Sequence, residues 1–225
     1  MKKPAQLPLL FPFSPALSRE DFIVSPANAE ALAYVERWPD WTAPVAGLYG
    51  PAGCGKTHLA SIWRTMSGAQ MISAREVGSA DIHLQCARVI EDIDAAQPTE
   101  ENDSVLFAAM QMAAAHAPLL LTGLAPPPLW PSVLPDLASR FSALIALPLR
   151  IPDEAVLAGL AHKLFADRQL PVPDEVIAHM LLVLERSPAA LRDFVAEADA
   201  AALADGCPVN LSLVSRLLDA RAGGS

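Results

Sequence analysis

Short apolar runs at residues 45–49, 70–73, 88–93, 119–122 and 144–147 are too brief for helices and read as strands. Between them, residues 56–66 and 105–116 read as helices, the second rich in alanine and methionine. Short apolar strands separated by helices predict a parallel sheet covered by helices on both faces. Ahead of the first strand, Ser25 and Pro26 read as the cap and first residue of a helix that carries Leu32 and Val35 and stops before Pro39.

Beyond Pro148 the pattern turns wholly helical, with spans at 153–169, 174–185, 188–205 and 211–221. Asp174, Ser187 and Asn210 are suitable caps, and Pro188 sits at a first helical position. Residues 1–20 carry Pro4, Pro8, Pro12 and Pro15, which exclude regular helix and predict an extended arm. The expected organisation is therefore an arm at 1–20, an α/β domain at 21–150 and a small helical domain at 151–225.

Composition narrows the partners. The formal charge is -9 over 225 residues, which disfavours a free-standing duplex-DNA binder that must neutralise phosphates. Any route to nucleic acid is expected to run through another protein. Cys54, Cys86 and Cys207 match no metal-ligand spacing, and Cys86 and Cys207 read as small buried hydrophobes. Lys2 and Lys3 ahead of apolar residues superficially suggest a signal peptide, but the prolines interrupt any apolar helix. No run approaches the ~18 apolar residues of a membrane span. The expectation is a soluble, cytoplasmic protein.

Chemistry enters at Gly50-Pro51-Ala52-Gly53-Cys54-Gly55-Lys56-Thr57, which matches the Walker A pattern at every fixed position and lies between a strand and a helix. Its glycines let backbone N–H groups curl round a β-phosphate, and Lys56 brings positive charge to the β- and γ-phosphates. Thr57 offers a hydroxyl to Mg²⁺, and the helix N-terminus adds its partial charge. Gly50 through His58 are the candidate contacts to ATP or ADP. Cys54 needs no side-chain contact with phosphate; it reads as loop filler, with a redox-sensitive thiol as the alternative. Val89-Ile90-Glu91-Asp92 has the form of a Walker B segment, an apolar strand ending in two acids; a merely charged strand end is the plain alternative.

Further segments carry a resemblance to the Hda family of DnaA-related AAA+ proteins, which inactivate the replication initiator DnaA. Asp21-Phe22-Ile23-Val24 resembles the family's entry segment, and the likeness continues through the helical region. Glu91 falls at the magnesium-side acid and Asp92 at the water-activating one, the longer Glu side chain making efficient intrinsic hydrolysis doubtful. Leu119-Leu120-Leu121-Thr122-Gly123 looks like the sensor 1 strand, with Thr122 as its polar residue. Taken alone, such a Thr reads equally as a satisfied hydroxyl. Leu134-Pro135-Asp136-Leu137-Ala138-Ser139-Arg140-Phe141 is very similar to the arginine-finger region, with Arg140 on the finger and Asp136 where DnaA proteins often carry a second arginine. Ala190-Leu191-Arg192-Asp193-Phe194 aligns with sensor 2, placing Arg192 on the lid; by itself it reads equally as a solvated helix arginine.

Two DnaA devices are missing from the pattern. On this reading the basic helix-turn-helix that follows the lid in DnaA is not expected, and only residues 74–87 fill the place of the insertion that contacts single-stranded origin DNA. In the arm, Gln6-Leu7-Pro8-Leu9-Leu10-Phe11 fits the six-residue pattern by which bacterial proteins dock on the sliding clamp, with Gln6, Leu7, Leu9, Leu10 and Phe11 as contacts. An arm folded on its own domain is the alternative. The resemblance implies an AAA+ sheet with a helical lid and a clamp-tethered negative regulator that supplies Arg140 to DnaA-bound ATP. DNA would be met only through the clamp, with no membrane partner and with homo-oligomers compatible. The rivals are a self-sufficient ATPase of the clamp-loader or helicase-loader type, a binding module with a vestigial P-loop, and, least favoured, a diverged initiator.

Overall fold

A computed structural model of the chain describes residues 17–78, 86–113 and 117–222. Its elements run α1 (Ala29–Glu36), β1 (Val45–Tyr49), α2 (Lys56–Ser67), β2 (Gln70–Ser73), β3 (Arg88–Glu91), α3 (Glu100–Met112), β4 (Leu119–Gly123), α4 (Pro135–Ser142) and β5 (Ile145–Pro148). Then follow α5 (Glu154–Asp167), α6 (Asp174–Val183), α7 (Pro188–Asp205) and α8 (Leu211–Ala222). Among the described residues the strands form one parallel sheet in the order β2-β3-β4-β1-β5. Because all strands point the same way, the turns after β1, β3 and β4 gather at one edge, where parallel sheets hold their ligands.

The period-2 alternation of each strand divides its side chains between two cores. Ala46, Leu48, Val89, Leu120 and Leu147 pack under α1 and α2 with Leu32, Val35, Leu59, Ile62 and Trp63. Val45, Ile90, Leu119 and Leu121 face the other way, against Leu106 and Met110 of α3 and Leu137 and Phe141 of α4. The sheet is thus covered on both faces, as the uninterrupted apolar strands require. Helices α5–α8 enclose a separate cluster that includes Leu157, Phe165, Met180, Phe194 and Val214, and Ile23 from the N-terminal segment packs against it.

Several element ends differ from the sequence reading, each for a local reason. Helix α3 begins at Glu100 rather than 105 because Thr99 Oγ1 caps it, accepting from the Asn102 amide at 3.1 Å. Glu100, Glu101 and Asp103 then complement the positive end of the helix. It ends at Met112, where Ala113 turns extended, short of the expected end at 116, which itself lies outside the described residues. Strand β3 stops at Glu91 because Asp92 turns into the left-handed region, φ 58°. The Ser25-Pro26 pair forms a turn ahead of α1, held by Asn28 Oδ1 accepting from the Ser25 amide at 2.9 Å, so α1 starts only at Ala29. Asp174 is the first residue of α6, not its cap. Ser187 and Asn210 do accept from the Ala190 and Leu213 amides, at 3.1 and 3.0 Å. Cys86 and Cys207 are half-buried rather than buried. Among the described residues no helix is long and apolar enough to cross a membrane.

Trp130 explains two strand glycines. It is 3% exposed, its Nε1–H donates to the Ala125 carbonyl at 2.7 Å, and its ring meets Phe141 edge-on. A Cβ on Gly123 would stand 2.5 Å from Trp130 Nε1, and one on Gly47 3.0 Å from Trp130 Cη2. The indole therefore lies on bare backbone of adjacent strands. Gly123→Ala should cost about 1–3 kcal/mol by overpacking. The check is a lowered urea midpoint with an unchanged slope; an unaltered midpoint would remove this account of the glycine.

Candidate functional site

The turn from β1 into α2 is the Walker A segment, and its shape follows from positions where no side chain fits. A Cβ on Gly50 would lie 2.0 Å from the Leu149 carbonyl oxygen. At Gly53, φ is +73°, and a Cβ would lie 2.5 Å from Glu185 Oε1 and 2.8 Å from Ser187 Cβ. The α6–α7 turn therefore rests directly on the loop, which only a glycine there permits.

Lys56 is 8% exposed and folds back along the loop, its Nζ donating to the carbonyls of Gly50 at 2.7 Å and Pro51 at 3.0 Å. Its charge is thereby held at the N-terminus of α2, where the helix dipole already favours an anion. Thr57 is exposed on the first turn beside it. Cys54, by contrast, is buried, and desolvation raises its thiol pKa above the ordinary value despite the nearby Lys56 charge. That argues against the redox-sensitive alternative. Cys54 should react with a maleimide at least ~10-fold more slowly than half-buried Cys207 in the native protein, read by mass-mapped alkylation.

At the end of β3 the two acids diverge. Glu91 is half-buried, in register with Ser73 of β2, and its carbonyl accepts from the Ala74 amide at 2.8 Å. Asp92 is exposed beyond it, and its amide donates to Thr122 Oγ1 at 3.1 Å. The left-handed turn at Asp92 and the buried Thr122 hydroxyl are thus one unit spanning neighbouring strands. Sequence reasoning missed its support, Asp94, whose Oδ2 accepts from the amides of Leu124 and Ala125, both at 2.7 Å, and fixes the turn after β4.

On the opposite wall, Arg192 lies in the second turn of α7. Its Nη1 donates to the Asp21 carbonyl at 2.9 Å, and its Nη2 meets His58 Nδ1 at 3.3 Å. His58 Nε2 lies 2.8 Å from the Ser18 carbonyl, and Phe22 packs edge-on against the ring. Desolvation lowers the His58 pKa below the ordinary imidazole value. Leu17 and Ser18, read from sequence as the end of the arm, thus belong to the site.

These groups enclose one cleft of about 300 Å³. Ala52 through His58, Asp92 and Arg192 line it, with Leu17, Phe22 and Ile23 supplying an apolar end. Thr122 joins it through Asp92, whereas Glu91 and Arg140 stand outside the lining. Arg140 is exposed in the last turn of α4, its guanidinium 5.7 Å from the centre of the Phe107 ring. That helix covers the sheet face opposite α2. Gln6, Leu7, Leu9, Leu10 and Phe11 lie outside the described residues.

No family model and no curated protein matches the sequence. Among solved structures, the chain is similar to domain III of the Thermotoga maritima replication initiation protein DnaA, with a TM-score of 0.71 and 17% identity over 93% of this chain and 98% of that one. The AMPPCP-bound DnaA of Aquifex aeolicus superposes with a TM-score of 0.64 and 19% identity, over 79% of this chain and 63% of that one. The Thermotoga maritima RuvB Holliday junction branch migration motor gives 0.63 and 17%, over 84% and 67%.

The chain has the AAA+ fold.

Of the residues singled out from the sequence, Ala52 through His58, Asp92 and Arg192 share one cleft, Thr122 touches its edge, and Gly50 and Pro51 stand outside its lining. The chain spans about two thirds of the Aquifex DnaA chain, 63% of its length. What the AAA+ motifs could not reveal was the wall made by Ser18 and Asp21, since its contacts run through backbone carbonyls that any residue supplies.

Proposed function

We propose that this chain is a nucleotide-binding AAA+ regulator of replication initiation that lends Arg140 to a neighbouring DnaA. The reading divides it into an α/β module at 21–150 and a helical lid at 151–225, preceded by a clamp-docking arm. Its own cleft would hold ADP or ATP: Lys56 and the Gly50–Gly55 turn take the phosphates, Arg192 approaches from the lid, and the apolar end receives the base. Thr57 and Glu91 would hold Mg²⁺, and Asp92 would orient the attacking water. The glycines, the ammonium at a helix N-terminus and the shape of the cleft fit such a ligand. When bound, the nucleotide serves here as a conformational ligand that sets assembly state.

The observation that carries the regulatory reading is Arg140, exposed on the sheet face opposite α2. A guanidinium so placed is free to meet another molecule, where it would stabilise charge developing on that molecule's phosphoryl group. The arm, with Gln6 at the rim of the clamp pocket and Leu9 and Phe11 as anchors, raises the local concentration of the chain near initiator on clamp-loaded DNA. DnaA–ATP hydrolysis should rise when this chain and clamp-bearing DNA are both added, and not with either alone. Replacing Gln6 and Phe11 with Ala should abolish clamp pull-down and the DNA dependence; retained pull-down discards the docking step.

A second reading, a self-sufficient ATPase of the clamp-loader or helicase-loader kind, draws on the Asp92–Thr122 unit at the edge of the cleft. Sustained ATP turnover by the purified chain without DnaA would favour it.

A further inference from the structure

The His58 ring sits between a backbone acceptor and a side-chain donor. The Ser18 carbonyl can only accept, so at 2.8 Å the ring must carry its hydrogen on Nε2. Nδ1 is left with a lone pair, and that lone pair faces Arg192 Nη2 at 3.3 Å. Rotation of the ring is opposed twice more. Phe22 abuts it at 5.1 Å between centroids, and the residue is 6% exposed. The other arm of the guanidinium reaches the Asp21 carbonyl at 2.9 Å. Asp21 is itself braced, its Oδ2 accepting from Ser18 Oγ at 2.6 Å.

We propose that His58 is a positioning residue: it does not hold the ligand but aims the Arg192 guanidinium of the helical lid into the cleft. Arginine carries about 2 kcal/mol of rotamer entropy. A side chain already fixed at both ends of its fork loses less of that freedom when an anion arrives. The same bridge ties the start of α2 to the lid and to the segment that leads out of the arm. Without the imidazole acceptor, Arg192 keeps one anchor and can swing about it. The residue after the Walker A threonine thus acts on the site through α7, not through the phosphate loop.

This inference rests on the nucleotide reading of the cleft, and the test separates the two. Titrate a fluorescent ADP analogue into full-length wild type, His58→Leu, His58→Gln, Arg192→Ala and the His58→Leu/Arg192→Ala double variant, with thermal unfolding as the control for folding. Glutamine can donate to Ser18 and accept from Arg192 as the imidazole does. The expected result is an affinity loss of about tenfold for His58→Leu, and clearly less for His58→Gln. The double variant should bind no more weakly than Arg192→Ala alone, because His58 acts through that arginine. Single losses that multiply in the double variant, or His58→Leu binding like wild type, overturn the positioning role while leaving the site. Should His58→Leu fail to fold, His58→Gln binding as weakly as Arg192→Ala overturns it as well. Absence of saturable binding by wild type overturns both inference and site.

Discussion

Arg140→Ala is expected to abolish stimulation of DnaA-bound ATP hydrolysis, by about 10³-fold or more if the side chain works as an arginine finger, while leaving the protein folded. The helix that carries it is held by Leu137 and Phe141, 0% and 1% exposed, which the substitution does not touch. What is lost locally is the approach of the guanidinium to Phe107, an exposed cation–π contact of about 0.5–1 kcal/mol. Unfolding midpoint and nucleotide affinity should therefore stay near wild type. Arg140→Lys should recover little, because an ammonium is a point charge without the planar fork that matches a phosphoryl group. The measurement is single-turnover hydrolysis by DnaA on clamp-bearing DNA. Undiminished stimulation by the alanine variant would end the proposal that this residue serves a partner.

The second large effect concerns the cleft itself. Lys56→Ala should weaken nucleotide binding by about 100-fold, the equivalent of one strong charge-assisted contact of roughly 3 kcal/mol. The ammonium already lies along the loop, on the carbonyls of Gly50 and Pro51, so its removal takes a donor from both; Pro51 keeps the Cys54 amide at 3.4 Å. A modest stability loss of about 1 kcal/mol should accompany the binding defect. Lys56→Arg should not rescue, since a bulkier planar group has no room at a position 8% exposed beneath the loop. Calorimetric titration with ADP is the check, and wild-type affinity in the alanine variant would rule out this loop as the phosphate site.

Much of the fold was legible because its signals are local. The alternation of Val45, Ala46 and Leu48, and of Leu119, Leu120 and Leu121, allots side chains to two cores without reference to anything distant. The Walker A turn was legible for the same reason, being eight consecutive residues with a fixed mechanical logic. Element ends were less so: the acidic start of α3 looks like loop until the Thr99 cap is seen. The wall of the site was hidden, because Arg192 and Asp21 lie 171 residues apart and meet through a carbonyl. Asp94 was passed over beside two more conspicuous acids, although its carboxylate fixes the turn after β4. Gly47 and Gly123 carried a signal that went unread, since glycine inside an apolar strand marks the close approach of something bulky.

One buried carboxylate bears on how the proposed finger could move. Asp103 of α3 is 2% exposed, and its Oδ2 accepts from Ser132 Oγ at 2.8 Å and from the amides of Val133 at 2.6 Å and Leu134 at 3.2 Å, the stretch that enters α4. The entrance to that helix is therefore riveted to its neighbour and offers no hinge. Any adjustment of reach must come from the rotamers of Arg140 or from the angle at which the whole molecule approaches, so a productive encounter demands a closely defined bearing between two bodies.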